Sequence, residues 1–143
     1  MLMGEYRNSI DAKSRLIVPS KFREELGGKC VLTKGLDSCL YIYSMTEWMK
    51  FQEKLAVLPI ADTKARAFVR YFYASAVECE IDKQGRMTIP QGLKEYAKVE
   101  KELVTLGVLN KVEIWSKEAW ENAENGEKLE PGEFAQQMES YGI

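Results

Sequence analysis

The chain has 143 residues, 45% hydrophobic and 29% charged, a composition that fits one globular unit and argues against a disordered or fibrous chain. It has no histidine, which removes Ser-His-Asp and Cys-His catalysis and imidazole metal sites together. The net charge of −2 hides a division: residues 121–143 carry six glutamates against Lys128, a local −5 that leaves residues 1–120 at +3. From the N-terminus, residues 7–23 hold Arg7, Lys13, Arg15, Lys21 and Arg23 against Asp11, a candidate anion-binding edge. Pro19 stops a strand. Ser20 is placed to cap a short helix, Lys21 to Leu26, closed by Gly27 and Gly28. Strands follow at 31–33 and 40–43 around a turn at 35–38. Ser44-Met45-Thr46-Glu47 is a capping box opening a helix that carries Trp48, Phe51 and Leu55 and ends by Pro59. Asp62 opens a second helix with Ala65, Phe68, Val69 and Phe72. Residues 77–81 alternate as a half-buried strand, and 86–89 alternate again, so Asp82-Lys83-Gln84-Gly85 reads as a hairpin turn with Gly85 at positive φ. A helix from Gln91 to Lys98 and strands at 103–106 and 112–115 follow. The polar stretch 125–132 reads as a loosely held tail, helical near 134–138.

The same unit occurs twice. Ile10-Asp11-Ala12-Lys13-Ser14-Arg15-Leu16-Ile17-Val18-Pro19 is matched, position for position, by Ile81-Asp82-Lys83-Gln84-Gly85-Arg86-Met87-Thr88-Ile89-Pro90. Thr33-Lys34-Gly35 then matches Thr105-Leu106-Gly107, Ile42-Tyr43-Ser44 matches Ile114-Trp115-Ser116, and Trp48 matches Trp120, as if a single residue had been inserted between the blocks of the second copy. Two units, 5–49 and 76–120, joined by a helical connection at 50–75 and followed by an acidic tail at 121–143, imply an internal pseudo-dyad. Each unit reads as two small hairpins around a helix.

The repeated Asp-x-x-x-Arg is the chemically pointed feature. In the purely structural reading a turn Asp accepts backbone hydrogen bonds from the residues that follow it, and the Arg four residues on merely pairs with it at the surface. Against that reading stand Lys13 and Lys83 on the same turns. With Arg15 and Arg86 they would place four cations on one face, and arginine forks suit phosphate oxygens and guanine edges. Ser14 stands where the second unit has Gly85, which predicts a strained or differently shaped first turn.

With its paired motifs, each followed by a Pro-ended strand, and its opening Met3-Gly4-Glu5-Tyr6, the chain resembles the MraZ family of bacterial regulators over nearly its whole length, as far as Trp120. The resemblance implies a mainly β fold with flanking helices, a pseudo-two-fold double AbrB-like swapped-hairpin β-barrel. It implies ring-like homo-oligomers that present their motif loops on one face. Their partner would be double-stranded promoter DNA: tandem repeats ahead of the division and cell-wall gene cluster that contains their own gene, usually repressed and in some members activated. It makes Arg15 and Arg86 the leading DNA contacts, with Asp11, Asp82 and Gly85 shaping the turns; Lys13 and Lys83 are added from charge and turn geometry. A cytoplasmic, nucleoid-associated protein without enzymatic activity, cofactor, metal, small-molecule substrate or membrane partner is expected. Glu78, Glu80 and Asp82 read as a solvated strand face rather than a metal site. The competing reading is an oligomeric scaffold in which Trp48, Trp120, Phe68 and Tyr71 line subunit contacts.

Overall fold

Proline punctuation, capping residues and period-two alternation account for most of the elements in the computed structural model, which describes residues 1–126 and 130–142. The first unit runs through β1 (Leu2–Ser9), β2 (Arg15–Ile17), α1 (Ser20–Leu26), β3 (Lys29–Lys34) and β4 (Leu40–Ser44). Helices α2 (Met45–Ala56) and α3 (Thr63–Ser75) lead to the second unit: β5 (Val77–Glu80), β6 (Arg86–Thr88), α4 (Gln91–Ala97), β7 (Glu102–Leu109), β8 (Lys111–Ser116) and α5 (Lys117–Gly126). Helix α6 (Pro131–Met138) follows. Residues 127–129, at the centre of the expected tail, lie outside the described residues.

The expected caps form at α2 and α3. Ser44 Oγ accepts from the Glu47 N–H at 3.1 Å, and Asp62 Oδ1 accepts from Lys64 and Ala65 at 2.8 and 3.3 Å. Ser20 is not a cap: α1 already includes it, because the Pro19 carbonyl accepts from Phe22 and Arg23 at 2.9 and 3.1 Å and so starts the helix one residue earlier. Pro90 does the same for α4 through Leu93 and Lys94.

The strands form a six-stranded antiparallel sheet in the order β1-β7-β8-β4-β3-β5 and a separate ribbon of β2 with β6. The expected 82–85 hairpin is therefore corrected. Asp82 N–H does donate to Arg86 O at 3.0 Å, closing the turn, but the flanking strands part at once, β5 to pair with β3 of the other unit and β6 with β2 of the other unit. The exchange is mutual, since β1 pairs with β7. Among the described residues only β3-β4 and β7-β8 are hairpins within a unit.

The ladder registers locate the pseudo-dyad. Leu16 stands opposite its own repeat mate Met87 in the ribbon, and Tyr41 opposite its mate Glu113 where β4 meets β8. They also correct the alignment of β3 with β7. Cys30 opposes Ser44 and Leu103 opposes Ser116, so Cys30 corresponds to Leu103 and Val31 to Val104, one position beyond the match that joins Thr33 to Thr105. The paired bonds Ile10 N–H to Lys101 O and Ile81 N–H to Gly28 O require the same correspondence, with Gly28 the mate of Lys101. The Thr-x-Gly identity is thus one residue out of register, and one residue turns every side chain to the other face.

That alternation gives the sheet two cores. Leu2, Cys30, Leu32, Leu40, Ile42, Leu103, Val112 and Ile114 face one core together with Leu16, Val18, Met87 and Ile89 of the ribbon region and Phe22 and Leu93 of α1 and α4. Val31, Tyr41, Tyr43, Val104 and Trp115 face the other, under α2, α3 and α5, with Trp48 and Phe72 buried there. The fold is thus mainly antiparallel sheet with flanking helices. Trp48 is core, and Trp120, half-buried, donates from Nε1 to Glu5 at 3.0 Å and ties α5 to β1.

Candidate nucleic-acid interface

Three residue pairs make up the β2-β6 ribbon, and their alternation decides what it presents. Leu16 and Met87 point into the core at 0% and 1% exposure, so their neighbours Arg15, Ile17, Arg86 and Thr88 share the opposite, outward face. Ile17 is 57% exposed there. Arg15 pairs with Thr88 and Arg86 with Ile17, which sets the two arginines at diagonal ends of the ribbon, about 8 Å apart by strand rise and spacing.

Each arginine is held by its own turn. Asp11 Oδ1 accepts from the backbone N–H of Lys13 and of Arg15, both at 2.9 Å, while Oδ2 accepts from Arg15 Nε at 2.8 Å. Asp82 repeats the pattern with Gln84 N–H at 2.9 Å, Arg86 N–H at 2.8 Å and Arg86 Nε at 2.8 Å. The Arg15 and Arg86 backbone N–H groups, then the guanidinium bonds and the further turn amide, hold both carboxyls below the usual aspartate range against the opposing effect of desolvation. With Nε committed to the carboxylate, the terminal amino groups of Arg15 and Arg86 have no protein hydrogen bond among the described residues. A guanidinium fixed on one edge and open on the other is the geometry for a bidentate contact with phosphate or guanine.

The Ser14 turn is not differently shaped. Ser14 takes the left-handed conformation at φ 60° and Gly85 at φ 81°, with matching Ser14 N–H to Asp11 O and Gly85 N–H to Asp82 O bonds of 3.0 and 2.9 Å. Lys13 and Lys83 are both exposed on the turns but occupy different turn positions, third and second, because the repeat pairs them with Gln84 and Ala12. Two further cations belong to the same region and lie outside the motif itself. Arg23 of α1 lies against Gly85, and Lys94 Nζ of α4 donates to Ser14 Oγ at 2.9 Å. They are repeat mates, each standing four positions after the strand-ending proline, and that shared spacing is the signal by which the sequence alone could have singled them out.

Among the described residues no group of three His, Cys, Asp or Glu side chains could hold a metal ion, and no helix is long and apolar enough to cross a membrane. Cys30, Cys39 and Cys79 are free thiols, and burial pushes Cys30 up to about 12.

The sequence model of a family described as "MraZ protein, putative antitoxin-like" matches the chain twice, over residues 1–71 and 72–137. The chain belongs to the MraZ family. Relatives in Thermoanaerobacter sp. (strain X514), Caldanaerobacter subterraneus subsp. tengcongensis and Caldicellulosiruptor saccharolyticus are 54%, 53% and 53% identical over all of both chains. Each of these MraZ relatives is named a transcriptional regulator.

Proposed function

We propose that the protein is a sequence-specific DNA-binding regulator that recognises tandem repeats in the promoter of the division and cell-wall gene cluster containing its own gene, and represses it, as a ring-like homo-oligomer on the nucleoid. The observation that carries the DNA reading is the ribbon face with two dyad-related arginines, each clamped by an aspartate and open at its terminal amino groups. A two-stranded ribbon fits the roughly 12 Å major groove, and pre-oriented arginine forks lose little side-chain entropy on binding. Lys13 and Lys83 add less directional phosphate contact from the exposed turns. The six glutamates of 121–143 account for the overall charge of −2 and leave residues 1–120 at +3.

Self-association supplies the affinity that four cations alone do not, because linked subunits on repeated sites raise avidity roughly 10²–10⁴-fold. It is supported by apolar groups that the single chain leaves exposed: Val57 and Ile60 between α2 and α3, Phe68 on α3, and Met138 on α6, a helix that buries none of its residues. The test is light scattering for the mass of the particle, combined with anisotropy titrations on a repeat-bearing duplex and a scrambled one. Selective binding by an oligomer supports the reading. An oligomer that binds neither duplex, or both alike, moves it to the scaffold.

A further inference from the structure

The two turns are each completed by a side chain of the other unit, and the two completions differ in size. Arg23 and Lys94 hold the same place, fourth in α1 and fourth in α4, and both are half-buried. Lys94 ends on the Ser14 hydroxyl at 2.9 Å. Arg23 lies so close to Gly85 that a Cβ there would stand 2.7 Å from Cζ and 3.1 Å from Nε, inside van der Waals contact. Among the described residues Arg23 Nε is buried without a hydrogen-bond partner, so packing rather than a carboxylate fixes the guanidinium. The backbone makes the same exchange. Val18 N–H donates to Gly85 O and Ile89 N–H to Ser14 O, both at 2.8 Å. The left-handed residue of each turn, immediately before the DNA-facing arginine, is thus gripped twice by the opposite unit.

We propose that Arg23 and Lys94 are positioning residues for Arg86 and Arg15: each seats the opposite unit's turn through a size-matched pair, guanidinium with glycine and ammonium with serine. The inequality at the left-handed position of the two motifs, Ser14 against Gly85, is then the packing complement of Lys94 against Arg23. The functional consequence rests on the DNA reading, and the seating itself on geometry alone.

The test moves one pair into the other's place in the full chain. Gly85→Ser alone puts a side chain on a residue at φ 81° and against the guanidinium, and backbone strain and crowding together loosen the site by roughly tenfold. The expected readings are about tenfold lower hydrogen-exchange protection of the 82–86 amides, broadening of the Arg86 Nε–H resonance, and about tenfold weaker binding to a repeat-bearing duplex. Gly85→Ser with Arg23→Lys recreates the Ser14–Lys94 pair and brings all three readings back to within about threefold of the parent, the scale of one ordinary hydrogen bond. Lys94→Met keeps the apolar stem, removes the donor, and lowers protection of the 11–15 turn about threefold, independently of whether Gly85→Ser folds. Failure of the double variant to recover overturns the size matching, as does a Gly85→Ser protein with an undisturbed 82–86 turn or a Lys94→Met protein with an undisturbed 11–15 turn. If the parent protein does not discriminate the duplex from a scrambled one, the DNA reading fails, while exchange and the Arg86 resonance still decide the seating.

Discussion

Leu16→Ala and Ile17→Ala test the ribbon's two faces one residue apart. Leu16 is fully buried at the pseudo-dyad, opposite Met87, in the core beneath the sheet. Truncating a buried leucine removes its transfer energy and leaves a cavity, for a cost of about 2–5 kcal/mol. A three-pair ribbon has few hydrogen bonds of its own and is held down by Leu16, Val18, Met87 and Ile89, so it cannot follow the cavity without lifting. We expect about 3 kcal/mol, which at roughly 4 °C per kcal/mol for a domain of this size lowers Tm by about 12 °C. Ile17, more than half exposed on the other face, is expected to stay within about 0.5 kcal/mol of the parent. Thermal and urea melts followed by circular dichroism measure both. Equal losses for the two variants, or a larger loss for Ile17→Ala, refute the register and with it the placement of Arg15 and Arg86 on one outer face.

The turn carboxylates set an acid limb. Because the folded pKa of Asp11 and of Asp82 is depressed, their stabilisation is present above the unfolded value of about 3.9 and is lost as pH falls towards the folded values. An Asp11→Asn/Asp82→Asn protein should show a shallower stability loss in that window, and an unchanged acid limb in urea titrations would contradict the clamps. The thiols are held protonated, Cys30 at about 12 with Cys79 also raised by burial, so the native protein should resist a maleimide at about neutral pH and react at all three cysteines once unfolded; fast labelling of native Cys30 would contradict its burial. Gly107→Ala places a Cβ 2.7 Å from the Leu2 carbonyl carbon and 2.8 Å from Met3 Cα, so it should detach β1. Hydrogen exchange then accelerates over residues 2–9, whereas unchanged protection there would refute the close β1-β7 approach.

Local chemistry was legible. Caps at Ser44 and Asp62, the prolines before α1 and α4, and the short apolar runs of β3, β4 and β8 on either side of a turn are short-range signals, and the structure places those elements within a few residues. The Asp-x-x-x-Arg turns were legible for the same reason, since the acceptor, the left-handed residue and the arginine lie within five positions. What could not be read was which strand pairs with which. Nothing in the 82–85 turn announces that its flanks join different sheets, because that choice is made by burying Leu16 and Met87 together across the dyad. β1 gave little pattern, most of its residues being exposed on the sheet edge and Gly4 at φ 102° breaking its alternation. The Thr-x-Gly identity misled because identity is blind to the face a strand residue occupies, whereas the ladders are not.

The assignment of DNA recognition to the ribbon stands or falls on the salt-dependent affinity of the parent and of Arg15→Ala/Arg86→Ala for a repeat-bearing duplex, with particle mass followed alongside. If the two arginines carry recognition, mass and fold stay unchanged, selective binding disappears, and the salt slope becomes shallower by about 0.9 for each phosphate the variant no longer neutralises. Undiminished selective binding by the double variant would contradict the assignment, and the protein would have to meet DNA through some other face.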